Sequence, residues 1–223
     1  MSRYLIILAG LLAAISTSAT AGSYFRVALL GGGELFEYRF DPSTFVLSAA
    51  SRCPDSVVQE CPFFTDPIHR EHWTTGKALL SRFGNKSSFS YAAADSQMRR
   101  AVIADRDPGK GPHTFEVRNL ETEAIELAAT TKRRISAAEM LGDRGCVLLL
   151  TSTYRIGWMP WDWPLTLAGH PPQYDTYYLE VYAPDGKMLN EMLVKENVKY
   201  SGGYLVPYRE DEPDAPIVPD GPC

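Results

Sequence analysis

The stretch from Ser88 to Thr131 constrains the fold more than any other part of the chain. Short runs of apolar and β-branched residues alternate there with sequences that can only turn. They predict four strands: Phe89–Ala92, Arg100–Ala104, Thr114–Arg118 and Ala124–Ala129. Ala94-Asp95-Ser96-Gln97 joins the first pair, and Asp107-Pro108-Gly109 with Gly111-Pro112 joins the second to the third. The tight turn Asn119-Leu120-Glu121-Thr122 joins the last two. Connections this short favour antiparallel neighbours, so the stretch predicts one four-stranded unit.

Imperfect copies of the unit occur on both sides. Ser23–Leu30 predicts a strand, Gly31-Gly32-Gly33 a turn, and Glu34–Phe40 and Phe45–Ala49 two further strands around Asp41-Pro42-Ser43-Thr44. Leu35, Phe40, Phe45 and Leu47 have apolar counterparts in Phe115, Leu120, Ile125 and Leu127. A second copy starts at Arg134: Ile135 matches Phe89, and Cys146–Thr151 matches Arg100–Asp105. That spacing lies within the range of four-stranded repeats. The run Val147-Leu148-Leu149-Leu150 lacks polar alternation and predicts a strand buried on both faces. Tyr177–Ala183 and Met188–Val194 continue this copy around Pro184-Asp185-Gly186-Lys187. Val198–Tyr208 either opens another unit or completes the first.

The order FSYAAADSQMRRAVIADRDPGKGPHTFEVRNLETEAIEL resembles the blades of TolB-type and WD40-like β-propellers. In those, a polar turn precedes an apolar strand, and a turn similar to Asn119-Leu120-Glu121-Thr122-Glu123 or Ala183-Pro184-Asp185-Gly186-Lys187 joins the outer strands. The resemblance covers roughly residues 24–50 and 88–208. It implies an all-β fold, a small or incomplete β-propeller-like array of antiparallel four-stranded units, and binding rather than catalysis. A β-sandwich of similar meanders is the alternative. Two long loop insertions interrupt the pattern, Arg52–Lys77 and Tyr154–Thr176.

Met1–Ala21 has the marks of a secretory signal peptide: Arg3, the apolar run Tyr4–Ile15, and small residues ending in Ala19-x-Ala21. The run is shorter than the ~20 residues a membrane span needs, which argues against an uncleaved anchor. The expected organisation is a signal peptide over 1–21, one domain over 22–208 and an acidic, Pro-rich tail over 209–223. The expected location is periplasmic or secreted, with no membrane association after cleavage. A net charge of −5 and a single basic cluster, Lys132-Arg133-Arg134, offer no footprint for nucleic acid. Four cysteines in an exported chain suggest two disulfides. Cys53–Cys61 is the favoured local bridge, leaving Cys146 and Cys223 as a long one or as two thiols. CxxC spacing is absent, and no metal site or cofactor is expected.

Catalytic constellations are also missing. The four histidines, His69, His72, His113 and His170, stand outside any nucleophile motif, and His69, Glu71 and His72 do not follow HExxH. They fit a surface turn with Trp73 tucked beneath, while Lys77–Phe83 fits a strand or one helical turn. The most unusual segment is Tyr154–Thr176, with Trp158, Trp161 and Trp163 among prolines. Either these rings fold back over the sheet, or they are presented to a partner. The expected function is therefore a non-enzymatic protein-binding module, with Trp158, Trp161, Asp162, Trp163 and Trp73 as candidate contacts. Exported proteins of this build include immunity proteins that block a cell-wall-targeting toxin. The rival expectation is a glycan-binding or glycan-cleaving protein, in which rings stack on sugar and Asp162 takes its hydroxyls.

Overall fold

The computed structural model describes residues 23–54, 60–65, 67–83, 89–95, 97–105, 112–142, 144–157, 160–199 and 202–209. The expected signal segment, the tail beyond Arg209, Cys223 and Trp158 lie outside the described residues. So does the question of a Cys146–Cys223 bridge.

Among the described residues, twelve strands form three antiparallel four-stranded sheets. The first contains β1 (Ser23–Gly31), β2 (Glu34–Asp41) and β3 (Val46–Pro54). Gly32 and Gly33, at φ of 64° and 84°, make the β1–β2 turn, which needs two left-handed residues in succession. Two helices follow, α1 (Pro62–Thr65) and α2 (Pro67–Phe83). The second sheet is β4 (Phe89–Ala94), β5 (Arg100–Asp105), β6 (His113–Asn119) and β7 (Ile125–Thr131). The third is β8 (Arg134–Leu141), β9 (Cys146–Ile156), β10 (Gln173–Tyr182) and β11 (Met188–Lys199), with the short helix α3 (Trp163–Leu167) between β9 and β10. The last strand, β12 (Gly202–Arg209), returns to the first sheet, where Ser23 pairs with Arg209 and Leu30 with Gly202. Of the two sequence readings for Val198–Tyr208, completion of the first unit is the one observed.

The third sheet lies between the other two. Leu148 and Leu150 pack with Phe25, Val27, Leu29 and Leu205 of the first sheet. Val147 and Leu149 pack with Val102, Phe115 and Val117 of the second. This explains the unbroken apolar run in β9: successive side chains point to opposite faces, and both faces are core. The opposite faces of the outer sheets receive the helices. Phe63 of α1 packs with Ala28, Leu35 and Val206, and Leu79 of α2 with Ala92, Ala101 and Ile103.

The helices correct the expectation of a long loop over Arg52–Lys77 and of a strand or single turn over Lys77–Phe83. Pro67 opens α2, where its missing N–H costs nothing. His72, Gly76, Leu79, Leu80 and Phe83 form one helical face, a stripe masked in the sequence because its first two members are not large apolar residues. Gly76 is required on that face: a Cβ there would lie 2.6 Å from the carbonyl oxygen of Ala92. Cys53 and Cys61 are bridged as expected, with Cα atoms 6.3 Å apart, and tie α1 to β3.

Buried charge is satisfied at the junction of the second and third sheets. Glu180, 1% exposed, accepts hydrogen bonds from Thr131, Thr151 and Tyr182 at 2.8–2.9 Å and from Arg133 at 2.7 Å. Arg133 also holds Glu191 through two bonds. The network fixes the β7–β8 turn against β9, β10 and β11.

Candidate functional site

The second insertion is a lengthened hairpin with a helical tip, which corrects the expectation of a long loop over Tyr154–Thr176. β9 runs on to Ile156, and Tyr154, Arg155 and Ile156 pair with Asp175, Tyr174 and Gln173. At its neck the Gly157 N–H donates to the Pro172 carbonyl at 2.9 Å. A 3₁₀ turn, Pro160–Asp162, then leads into α3, with a proline in its first turn.

The tip divides its side chains sharply. Asp162 is 1% exposed and accepts a 2.8 Å hydrogen bond from the buried Tyr174 hydroxyl, so it anchors the tip to β10. Trp161 and Trp163 point outward at 69% and 67% exposure, and Leu167 reaches 81%. Leu165, Tyr154 and Ile156 are exposed beside them in sequence. Trp161 and Trp163 therefore do not fold back over the sheet. Leu165 and Leu167 carry no distinguishing signal in the sequence, because isolated leucines there are indistinguishable from core.

A second concentration of unusual side chains lies under α2. Here β4, β8 and β12, the leading edges of the three sheets, meet the helix around a cavity of about 200 Å³. Leu80, Ala92, Ala137 and Leu205 contribute apolar wall, and His72 and Glu139 a polar one. His72 Nε2 lies 2.5 Å from Glu139 Oε1, with the two side chains 22% and 5% exposed. Burial works against the His72 charge, but the neighbouring carboxylate and its hydrogen bond outweigh it and raise the imidazole above its ordinary value. Burial raises the Glu139 carboxyl, and His72 only partly opposes it.

Trp73 is half exposed rather than tucked under a turn, and the Lys77 ammonium lies 5.3 Å from its ring centroid. Trp73 borders the cavity and is remote in sequence from the Trp161–Trp163 tip. The backbone at His69 belongs to α2. Among the described residues no group of three or more His, Cys, Asp or Glu side chains could hold a metal ion. No helix among them is long and apolar enough to cross a membrane. No protein-family model matches the sequence, and no curated protein matches it either.

Proposed function

We propose that this chain is an exported, non-enzymatic protein-binding module that engages its partner through the tip of the β9–β10 hairpin. The observation that carries the reading is the outward display of Trp161, Trp163 and Leu167 on one short helical segment. An aromatic side chain brings roughly 150–250 Å² to an interface. Two tryptophans at two-thirds exposure thus offer on the order of 250 Å², or ~6 kcal/mol at ~25 cal/mol per Å², before the costs of association. That is the scale of a hot spot, to be completed by surrounding surface toward the ~800 Å² per partner of a stable complex. Anchoring by Asp162 and Tyr174 supports the same reading, since a tip held in place loses little entropy on docking. The glycan alternative is less well supported: Asp162, its intended partner for sugar hydroxyls, faces Tyr174.

We read the three sheets as blade-like units of a small propeller, the first completed by β12, with α1 and α2 taking the place of a further unit. Such a scaffold leaves function to its excursions. Within the binding class, the build fits an immunity protein that blocks a cell-wall-targeting enzyme.

The test is affinity capture from periplasmic extract of the producing organism, using wild type and Trp161→Ala/Trp163→Ala. Loss of a captured protein by tenfold or more in the variant is the expected result. Equal capture by both, or Trp fluorescence that responds to peptidoglycan fragments alone, contradicts the reading. The immunity version adds one outcome: wild type, and not the variant, restores growth when an enzyme encoded beside the gene is sent to the periplasm.

A further inference from the structure

The cavity under α2 differs from the other polar sites in the core by what its carboxylate lacks. Glu180 receives four side chains, and Asp175 is held by Arg134 and Gln173. Glu139 has one partner among the described residues, His72 on Oε1. Its side chain lines the cavity. A carboxylate offers about four acceptor positions, so most of the capacity of Glu139 is unused in an apolar setting where unused capacity is costly.

The rest of the wall defines what could use it. Leu80, Ala92, Ala137 and Leu205 offer only apolar contact, with the ring of Tyr204 beside them, and at the border stand Trp73 and the exposed Lys77, whose ammonium lies 5.3 Å from the Trp73 ring centroid. An apolar cavity of ~150 Å³ takes benzene, so about 200 Å³ leaves room for one ring and a short arm. An anion would meet the Glu139 charge inside the cavity, whereas a cation gains that carboxylate, and the Lys77 ammonium is already held against the Trp73 ring at the border. We propose that the cavity is a binding site for a small primary amine with an apolar, ring-sized body, its ammonium donating to Glu139 Oε2 while His72 holds Oε1. The site is separate from the hairpin tip, and the two readings stand or fall independently.

Titration of the purified protein with phenethylamine, 2-phenylethanol and phenylacetate, followed by calorimetry and by amide NMR shifts, tests it. Phenethylamine is expected to bind at least tenfold more tightly than 2-phenylethanol, phenylacetate not at all, with shifts centred on α2 and β8. Glu139→Gln is expected to abolish the preference for the amine. Leu80→Trp, which fills the cavity from the helix side and leaves Glu139 in place, is expected to abolish binding of both. Equal affinity for amine and alcohol in the wild-type protein would overturn the proposal without recourse to any variant. So would tighter binding of the acid, shifts elsewhere, or binding that survives Leu80→Trp.

Discussion

At the scale of single residues, the His72–Glu139 pair sets a pH dependence whose sign can be worked out. Both groups titrate above their ordinary values in the folded protein. Between the ordinary carboxylate value of ~4.3 and somewhat above the histidine value of ~6.5, the folded state therefore holds more protons than the unfolded chain. Stability from this pair is present at the acid end and is lost as pH rises through that window. The exposed carboxylates Glu126 and Glu191 are lowered, Asp41 also despite partial burial, and all three act in the opposite sense at more acid pH. The urea midpoint is expected to fall from pH 5.5 to pH 8, and less so in His72→Gln/Glu139→Gln. His72→Ala alone strands a buried carboxylate and is expected to cost about 3–5 kcal/mol at pH 8 and less as pH falls, because burial raises the Glu139 carboxyl and favours its neutral form. Glu180 makes the complementary case. Its four donors lose their acceptor in Glu180→Ala, and a loss of about 3–5 kcal/mol in chemical denaturation is expected, with Arg133 left half-held.

At the scale of elements, Gly76 decides how closely α2 approaches β4. Helix propensity alone would make Gly76→Ala stabilising by ~1 kcal/mol. The 2.6 Å approach to the Ala92 carbonyl means that the helix or the strand must shift, at a cost of ~1–3 kcal/mol. A net loss of up to about 2 kcal/mol is expected in urea unfolding, and a gain would show that α2 rides more loosely than the geometry indicates. The same helix marks the limit of what the sequence could disclose. Hairpins were legible because their turns are chemically distinctive, as in Gly32-Gly33 and Pro184-Asp185-Gly186, and the burial of β9 because four apolar residues stand in a row. α2 was hidden because its inward face begins with His72 and Gly76, residues chosen for a cavity and a close approach. The Glu139 partner was equally hidden, lying on a strand 67 positions away. The exposed tip was half legible. Three tryptophans among prolines singled out the segment, but only the buried hydrogen bond to Tyr174 shows that Asp162 faces inward.

For the whole molecule, the pairing of β1 with β12 joins the two ends of the described chain into one sheet. Gly203 lets β12 lie against the third sheet, where a Cβ would come within 2.6 Å of Leu150 and 3.0 Å of Tyr177. Removal of residues 202–223 would strip β1 of one of its two neighbours, uncover Phe25, Val27 and Leu29, and take away one wall of the cavity. Loss of cooperative thermal unfolding by circular dichroism is the expected outcome, and an unchanged transition would contradict the part given to β12. The central claim, that this scaffold presents the hairpin tip to a protein, is tested most directly by photo-crosslinking in producing cells. A benzophenone amino acid replaces Leu167 at the tip in one experiment and Val46, exposed at the start of β3, in the other. A discrete protein adduct from position 167 with none from position 46 is the result expected. An adduct from position 46 alone, or from neither position, would contradict the account.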